Sequence, residues 1–222
     1  MNVKPNESVK SRILHAAAKL FLSVGYEKAS IIKIAELAGV NRGSVCFAFK
    51  DKESILCELV ALVLEAQFEA TSKLLEGKTD DKILFYAAET TLQLYMAESS
   101  EHIREMYNVT YSLPHSATIV FRSITSKLQD IFKESLPTWE TKDFYEKEIS
   151  SAGIMRNQMI VPCDVNYTME RKVRAFIEST FLIYRVSDEK IEEAINFVSQ
   201  FDWKIIAQGV IDNMFKYLES RT

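Results

Sequence analysis

The sequence contains little glycine, proline or cysteine. Its 222 residues include 6 Gly, 4 Pro and 3 Cys, while Leu, Ile, Ala, Lys and Glu recur at three-to-four-residue spacing almost throughout. This pattern predicts an all-α chain without a strand of useful length. The three cysteines are an odd number and lack CxxC spacing; they are Cys46, Cys57 and Cys163. They favour free thiols over a disulfide framework, and we predict no metal site.

Signals of several protein classes are also missing. No apolar run approaches the ~20 residues of a membrane span, and the N-terminus lacks the pattern of a signal peptide. We therefore expect a cytoplasmic protein with no membrane association. The sequence contains no GxSxG, HExxH, P-loop or GxGxxG motif and no obvious nucleophile constellation. It therefore predicts a protein that is not an enzyme and needs no cofactor.

Charge is distributed unevenly along the chain. The formal net charge is −4, but residues 1–58 hold nine Lys or Arg against six Asp or Glu, so the remainder carries −7. The basic first quarter is the part suited to a polyanion such as DNA.

The first sixty residues predict three helices. An apolar face at i, i+3, i+4, i+7 and i+8 begins at Ile13 and ends before Gly25, which favours a left-handed helix stop. Ser30 can cap a short second helix that ends at Gly39, and Asn41 can cap a third over residues 42–49. Two short helices joined this tightly predict a helix-turn-helix whose last helix points outward.

The outward helix supplies the candidate DNA contacts. Arg42, Gly43, Ser44, Cys46 and Phe47 are expected at or near DNA, while Val45 and Phe49 point to the core. Lys50 and Lys52 follow where a new helix begins, and we interpret Lys52 as a phosphate anchor. Glycine destabilises a helix relative to alanine, and we interpret Gly43 as compensating for this by allowing close approach to a phosphate or base edge.

The stretch ILHAAAKLFLSVGYEKASIIKIAELAGVNRGSVCFAFKDKESIL resembles the N-terminal domain of the TetR family of bacterial transcriptional regulators. The resemblance implies a homodimeric repressor whose third helices enter successive major grooves of a palindromic operator, with a separate helical domain that binds an inducer. It also implies DNA contacts. These would come from Ser30, Asn41, Arg42, Ser44 and Lys52. The chain departs from the family at Cys46, Phe47 and Ala48, where an aromatic-polar-aromatic group such as Tyr-His-Tyr is common, so Phe47 is expected to pack on thymine methyls or sugars.

Beyond a domain boundary at 53/54, the sequence predicts a larger helical ligand-binding and dimerisation domain over residues 54–222. The predicted helices are 51–76, 79–99, 101–112, 115–135, 143–161, 168–186 and 188–220, broken by Pro114, Pro137 and Pro162, with the last helix splitting near Asp202. Aromatic and methionine side chains favour a pocket for an apolar or aromatic ligand, with core packing as the alternative for each. The pocket candidates are Tyr95, Met106, Tyr107, Tyr111, Met155, Met159 and Phe176. Polar residues that could orient the ligand are Glu89, His102, Arg104, Asn108, His115 and Gln158.

The final helices are candidates for dimerisation. Family resemblance assigns Phe181, Tyr184, Val210 and Met214 to the dimer interface, and an internal core remains the alternative. The leading hypothesis is a homodimeric, ligand-released repressor bound to double-stranded operator DNA. An activator, a constitutive DNA-binding protein and a redox-sensing one acting through Cys46 stay open. So does a helical protein-interaction adaptor with a degenerate helix-turn-helix.

Overall fold

The computed structural model describes residues 7–221, and these form eleven α-helices without a strand. The all-α prediction is therefore confirmed. The helices are α1 Glu7–Val24, α2 Ile31–Leu37, α3 Arg42–Ala48, α4 Lys52–Leu75, α5 Lys82–Glu98, α6 Glu101–Ser112, α7 Pro114–Phe132, α8 Thr141–Ile160, α9 Met169–Ile183, α10 Asp188–Val198 and α11 Trp203–Ser220.

The turn after α1 forms as the sequence predicts. Gly25 has φ +86° and its amide donates to the carbonyl of Phe21 at 3.0 Å. The Tyr26 ring then meets the Phe21 ring edge to face, with the ring centroids 5.1 Å apart. This contact sets the direction in which the chain leaves α1 toward α2.

The turn between α2 and α3 is equally short. Gly39 has φ +64°, and the amide of Val40 donates to the carbonyl of Ala35 at 3.0 Å, which closes the end of α2. Val45 and Phe49 are buried under α1 and α2, as predicted. The opposite face of α3 is therefore left at the surface.

Helix α4 connects the N-terminal helices with the rest of the molecule. It packs against α1 at one side and against α5, α7 and α11 elsewhere. Buried side chains continue from the N-terminal helices into the larger bundle without a break. The boundary at 53/54 stays a prediction, because α4 runs through that point.

Helix α5 is the centre of the larger bundle. It packs against α4, α6, α7, α8, α9, α10 and α11, and it is buried on nearly all sides. Helix α11 packs against α5, α1 and α4. The predicted split near Asp202 is present, and Asp202 caps α11 through the amide of Ile205.

Proline has a different role at one predicted break. Pro114 occupies the first turn of α7 and begins that helix, because its missing N–H is not needed there. None of the described helices meets the length and apolarity needed to cross a bilayer.

Candidate DNA interface and ligand cavity

The outward face of α3 is the candidate DNA interface. Arg42, Gly43, Cys46 and Phe47 are exposed, and 60% of the Phe47 surface is open to solvent. Arg42 has no hydrogen-bond or ion-pair partner among the described residues. Its guanidinium is therefore available to a base edge or a phosphate.

Ser30 and Asn41 hold the two helices of the motif at their N-termini. The Ser30 hydroxyl accepts from the amide of Lys33 at 3.3 Å. The Asn41 Oδ1 atom accepts from the amide of Ser44 at 2.8 Å and from its hydroxyl at 3.2 Å. Both side chains act as caps, which satisfies backbone donors that the helices leave unpaired.

Gly43 is explained by this cap. A Cβ atom at Gly43 would lie 3.1 Å from Asn41 Oδ1, closer than a comfortable contact. The missing side chain thus leaves room for the Asn41 cap inside the protein. This reason is additional to the close approach to DNA that the sequence predicted.

Lys52 departs from its predicted role. Its ammonium donates to the carbonyls of Tyr26 at 2.7 Å and Ala29 at 3.1 Å, and it lies 4.1 Å from the centroid of the Tyr26 ring. Partial burial lowers the pKa of Lys52. The side chain holds the turn between α1 and α2 and is not a free phosphate anchor. Lys50 is exposed and is the neighbouring lysine that remains available to phosphate.

The departure from the family pattern lies in the middle of the exposed face. Cys46 and Phe47 are exposed and Ala48 is half-buried. Cys46 is a free thiol. The three side chains offer no hydroxyl to a phosphate, so an apolar contact from Phe47 is the interaction that this part of the surface can provide.

Two carboxylates join the N-terminal helices to the larger bundle. Glu105 on α6 accepts from the amide of Glu27 at 2.9 Å, and the same carboxylate lies against Gly25. Glu53 at the start of α4 accepts from the amides of His115 and Ser116 at 2.9 and 3.3 Å. These amides belong to the first turn of α7, where a negative charge is favoured.

An apolar cavity of about 90 Å³ lies between α1, α4, α5, α6, α7 and α11. Met106, Tyr107 and Tyr111 line it, as predicted for ligand-binding residues. Met214, predicted at the dimer interface, lines this cavity as well. A cavity of ~150 Å³ takes a benzene ring, so a ring-sized ligand here requires some side chains to move. The remaining lining residues are Ala18, Leu22, Leu59, Val60, Val63, Leu64, Gln93, Met96, Ile103, Thr110, Val120, Ile211, Phe215 and Leu218.

A second, smaller cavity of about 20 Å³ lies between α5, α6, α7, α8 and α9, and we call it the polar cavity because two carboxyls line it among apolar side chains. Gln93 and Tyr111 line both cavities, so the two spaces adjoin. Met155 and Phe176 line the polar cavity together with the carboxyls of Glu89 and Glu148. The other lining residues are Tyr86, Thr90, Ile124, Ser151 and Ala152.

Both carboxyls of the polar cavity resist ionisation. Burial raises the pKa of Glu89 to about 8, against the opposing effects of its hydrogen bond from Gln93 and of the Lys127 charge. Burial also raises the pKa of Glu148 to about 8, and the nearby Glu89 adds to this rise. Each group is therefore mostly protonated at neutral pH.

A chain of amides links the two cavities. The Gln93 amide nitrogen contacts Glu89 Oε1 at 3.2 Å and Gln67 Oε1 at 3.3 Å. Gln67 in turn donates to the hydroxyl of Tyr107, which lies at the wall of the apolar cavity. This chain fixes the orientation of the Tyr107 and Gln93 side chains.

The structure does not bring every predicted ligand residue to a cavity. Tyr95 and Met159 line neither space, and Met159 is buried in the core. Of the polar candidates, Glu89 lines the polar cavity, whereas Arg104 pairs with Glu98 and Gln158 contacts the Tyr167 hydroxyl. Core packing and surface pairing thus account for these side chains.

Three of the four predicted dimer residues are buried inside the protomer and Met214 is half-buried, so the dimer interface stays a prediction. Phe181 and Tyr184 are wholly buried, and their rings pack with Tyr86 and Phe132 inside the protomer. Val210 is also buried, at 7% exposure. Amphipathic spacing marked these side chains as apolar and could not tell an internal helix face from an intermolecular one.

Glu148 was missed by sequence reasoning. It lies four residues after Phe144 and seven before Met155, all three on the buried face of α8. A carboxylate at an apolar position of a helix is a signal of a functional or paired buried charge.

Comparison with known proteins agrees with this geometry. Residues 13–59 match the model for "Bacterial regulatory proteins, tetR family". No curated protein sequence matches the chain. Among solved structures, RolR in complex with the ligand resorcinol has a TM-score of 0.65 at 16% identity, covering 88% of this chain and 95% of that one. SmeT, the repressor of the Stenotrophomonas maltophilia multidrug efflux pump SmeDEF, has a TM-score of 0.56 at 18% identity, covering 81% and 91%.

These likenesses concern the N-terminal motif in sequence and most of the chain in fold. The matched residues contain the last two thirds of α1, all of α2 and α3, and the start of α4, which are the elements that present the outward face of α3. Residues 13–59 thus resemble the N-terminal domain of the tetR family of bacterial regulatory proteins, and their helices have the arrangement of a helix-turn-helix.

Proposed function

We propose that the protein is a homodimeric transcriptional repressor that binds a palindromic operator through α3 and is released by a small ligand. The observation that carries the proposal is the outward face of α3, where Arg42 and Phe47 are exposed while Val45 and Phe49 anchor the helix. One helix of this length makes few contacts, so two copies on two half-sites are needed for operator affinity.

Ligand release is supported by the position of the apolar cavity. Helix α6 lines the cavity through Met106 and Tyr107, and the same helix contacts the turn before α2 through Glu105. A ligand that prefers one position of α6 therefore also prefers one position of the DNA-binding helices. Such a difference in affinity between two shapes is what coupling requires.

The test is a selection of bound sequences from a random duplex library with the purified full chain, followed by titration of the selected site at two salt concentrations. We expect a palindrome. Arg42→Ala should weaken its binding at least tenfold, because a bidentate base contact contributes about 1–3 kcal/mol. The control is Arg122→Ala, which removes an exposed arginine of α7 and should leave affinity unchanged.

Weak binding that is indifferent to sequence and to Arg42 would contradict the proposal. In that case Cys46, Phe47 and Ala48 would mark a lost DNA-binding function, and a helical protein-interaction adaptor would explain the fold better. A palindrome that is bound equally in the presence of every tested ligand would instead support a constitutive DNA-binding protein.

A further inference from the structure

Two buried carboxyls face a cavity without full hydrogen bonding. Glu89 and Glu148 are 1% and 3% exposed, and both line the polar cavity. Glu89 accepts one hydrogen bond, from Gln93, and Glu148 accepts one to its side chain, from Ser151 at 2.9 Å. Among the described residues, no partner contacts the second oxygen of either carboxyl. Buried polar groups that face a space without a partner indicate a missing ligand or water.

Among the described residues, no cation forms an ion pair with either carboxyl. The charge that acts on Glu89 from α7 is Lys127, and its ammonium lies 3.8 Å from the centroid of the Phe68 ring. The other titratable groups near the two carboxyls are tyrosines: Tyr86 on α5, Tyr107 and Tyr111 on α6, and Tyr184 after α9. Acidic and phenolic groups together favour a positively charged guest, which can also use the ring faces.

The dimensions limit the guest. A single water needs ~10–15 Å³, so about 20 Å³ accepts one small polar group and excludes a trimethylammonium head. The adjoining apolar cavity of about 90 Å³ accepts a short alkyl body as it stands, and it accepts a ring once its lining side chains move. A molecule that occupies both spaces passes Gln93 and Tyr111, which line both of them. The two spaces therefore suit a molecule with a small polar head and an apolar body.

We propose that the inducer is a primary amine with an apolar or aromatic body, whose ammonium group lies between Glu89 and Glu148 while its body occupies the apolar cavity. The inference rests on the proposed ligand-released function and names the chemical class of its ligand. A neutral ligand of the same shape would leave both second oxygens without a charged donor, and a carboxylate would be repelled.

Binding of this kind releases a proton. Without a bound amine both carboxyls are mostly protonated at pH 7, and one ammonium neutralises one carboxylate. One Glu therefore transfers its proton to solvent as the ammonium–carboxylate pair forms, and no covalent bond changes in the ligand. Glu89 is the group that ionises, because the Lys127 charge favours its anion, and Glu148 keeps its proton. The other carboxyl then acts as a hydrogen-bond acceptor for the ammonium through its carbonyl oxygen.

The experiment uses three matched probes with the full-length protein: 4-phenylbutylamine, 4-phenylbutan-1-ol and 4-phenylbutyrate. Calorimetric titration in buffers of different ionisation enthalpy gives both affinity and proton release. We expect the amine to bind about a hundredfold more tightly than the alcohol at pH 8, since a charged hydrogen-bonded pair replaces neutral ones. The amine affinity should rise close to tenfold from pH 6 to pH 7, with about one proton released. The alcohol affinity should not change over this range.

The variant Glu89→Gln/Glu148→Gln keeps the shape of two protonated carboxyls and should fold normally. It should bring the affinities for the amine and the alcohol within threefold of each other and abolish proton release. Equal affinities in the unaltered protein would overturn the proposal, and so would failure of the amine to bind up to its solubility limit. The cavity would then hold a structural water. Operator binding measured on the same preparation separates the two hypotheses, because a lost amine site with intact operator binding contradicts the ligand class alone.

Discussion

Lys52 and Glu53 are neighbours in the chain, and their side chains hold two different helix ends. Lys52 binds the carbonyls of Tyr26 and Ala29 before α2, and Glu53 accepts from the first amides of α7. The sequence could not show that the Lys52 ammonium donates to backbone carbonyls of its own chain, because these carbonyls belong to a turn more than twenty residues earlier.

Two features of the structure require glycine at position 25: its backbone conformation and the neighbouring Glu105 carboxylate. A residue other than glycine at φ +86° loses about 1–2 kcal/mol in the left-handed region, and a Cβ there would lie 2.3 Å from Glu105 Oε2. Gly25→Ala should therefore also displace the carboxylate that accepts from the amide of Glu27. This displacement should lower the free energy of unfolding by about 1 kcal/mol more. The measurement is the urea midpoint at pH 7.

The matched control is Gly77→Ala. Gly77 also has positive φ, at +71°, but nothing lies within 4 Å of its added Cβ atom. Gly77→Ala should therefore lose only the stability that a non-glycine residue costs in the left-handed backbone region. Equal destabilisation by the two alanines would mean that the Glu105 contact contributes nothing to stability.

The buried carboxyls make a prediction about stability and pH. The pKa of Glu89 and of Glu148 is about 8 in the folded protein, and an unfolded glutamate titrates near 4.5. Between these values the folded state binds more protons, so stability is full below pH 4.5 and is lost as pH rises toward 8. The loss should be on the order of a few kcal/mol per carboxyl.

Glu89→Gln/Glu148→Gln removes both titrations, so the stability of this variant should fall less between pH 5 and pH 8. The free energy of unfolding in urea, measured at each pH for both proteins, gives the comparison. Parallel curves for the two proteins would show that the carboxyls do not stay protonated in the folded state.

At the scale of helices, local signals account for most boundaries. The predicted 101–112 agrees with Glu101–Ser112, and Ser100 caps that helix through the amide of Ile103. The predicted 115–135 starts one residue late and ends three residues beyond Phe132, where the chain leaves α7 through a turn. At the start of α7, Leu113 provides no side-chain cap, and the first amides are satisfied by Glu53 instead. A cap supplied from a distant helix leaves no local pattern in the sequence.

Removing that distant cap should destabilise the fold measurably. Glu53→Ala leaves the amides of His115 and Ser116 without their carboxylate. We expect the free energy of unfolding, measured by heat or urea, to fall by about 1–2 kcal/mol. Glu58→Ala is the control on the same helix. Glu58 is 46% exposed and, within residues 7–221, pairs with Lys10 at 2.7 Å, a surface contact worth under ~1 kcal/mol. If Glu53→Ala destabilises the protein no more than Glu58→Ala does, Glu53 does not contribute to stability as a cap of α7.

At the scale of the whole molecule, the sequence predicted an all-α chain with a helix-turn-helix and a pocket. It could not predict which apolar residues lie on the outer surface of the protomer. Phe181 and Tyr184 were recognised as apolar, yet they are buried inside the protomer at the end of α9, and Met214 on α11 lines the apolar cavity. Burial inside a protomer and burial between protomers follow the same physical rule, so a helical pattern does not distinguish them. Only the packing of α11 against α1, α4 and α5 shows that it closes the apolar cavity.

A homodimer must therefore use side chains that the protomer leaves exposed. Helices α8 and α9 pack against each other, and they expose Ile149 at 46% and Leu182 at 60%. We predict that Ile149→Glu and Leu182→Glu each raise the dimer dissociation constant at least tenfold in sedimentation experiments, because a charge buried at an interface without a partner is costly. Operator affinity should fall in parallel, since one half-site supplies too few contacts.

Val165→Glu is the control, because Val165 lies in the link between α8 and α9 and is 91% exposed. It should leave self-association unchanged. Dissociation caused instead by Ile205→Glu, on the 70% exposed position of α11, would place the interface on the other side of the bundle. In that arrangement the dimer would cover the helix that closes the apolar cavity, and ligand binding would act directly on the contact between the two copies.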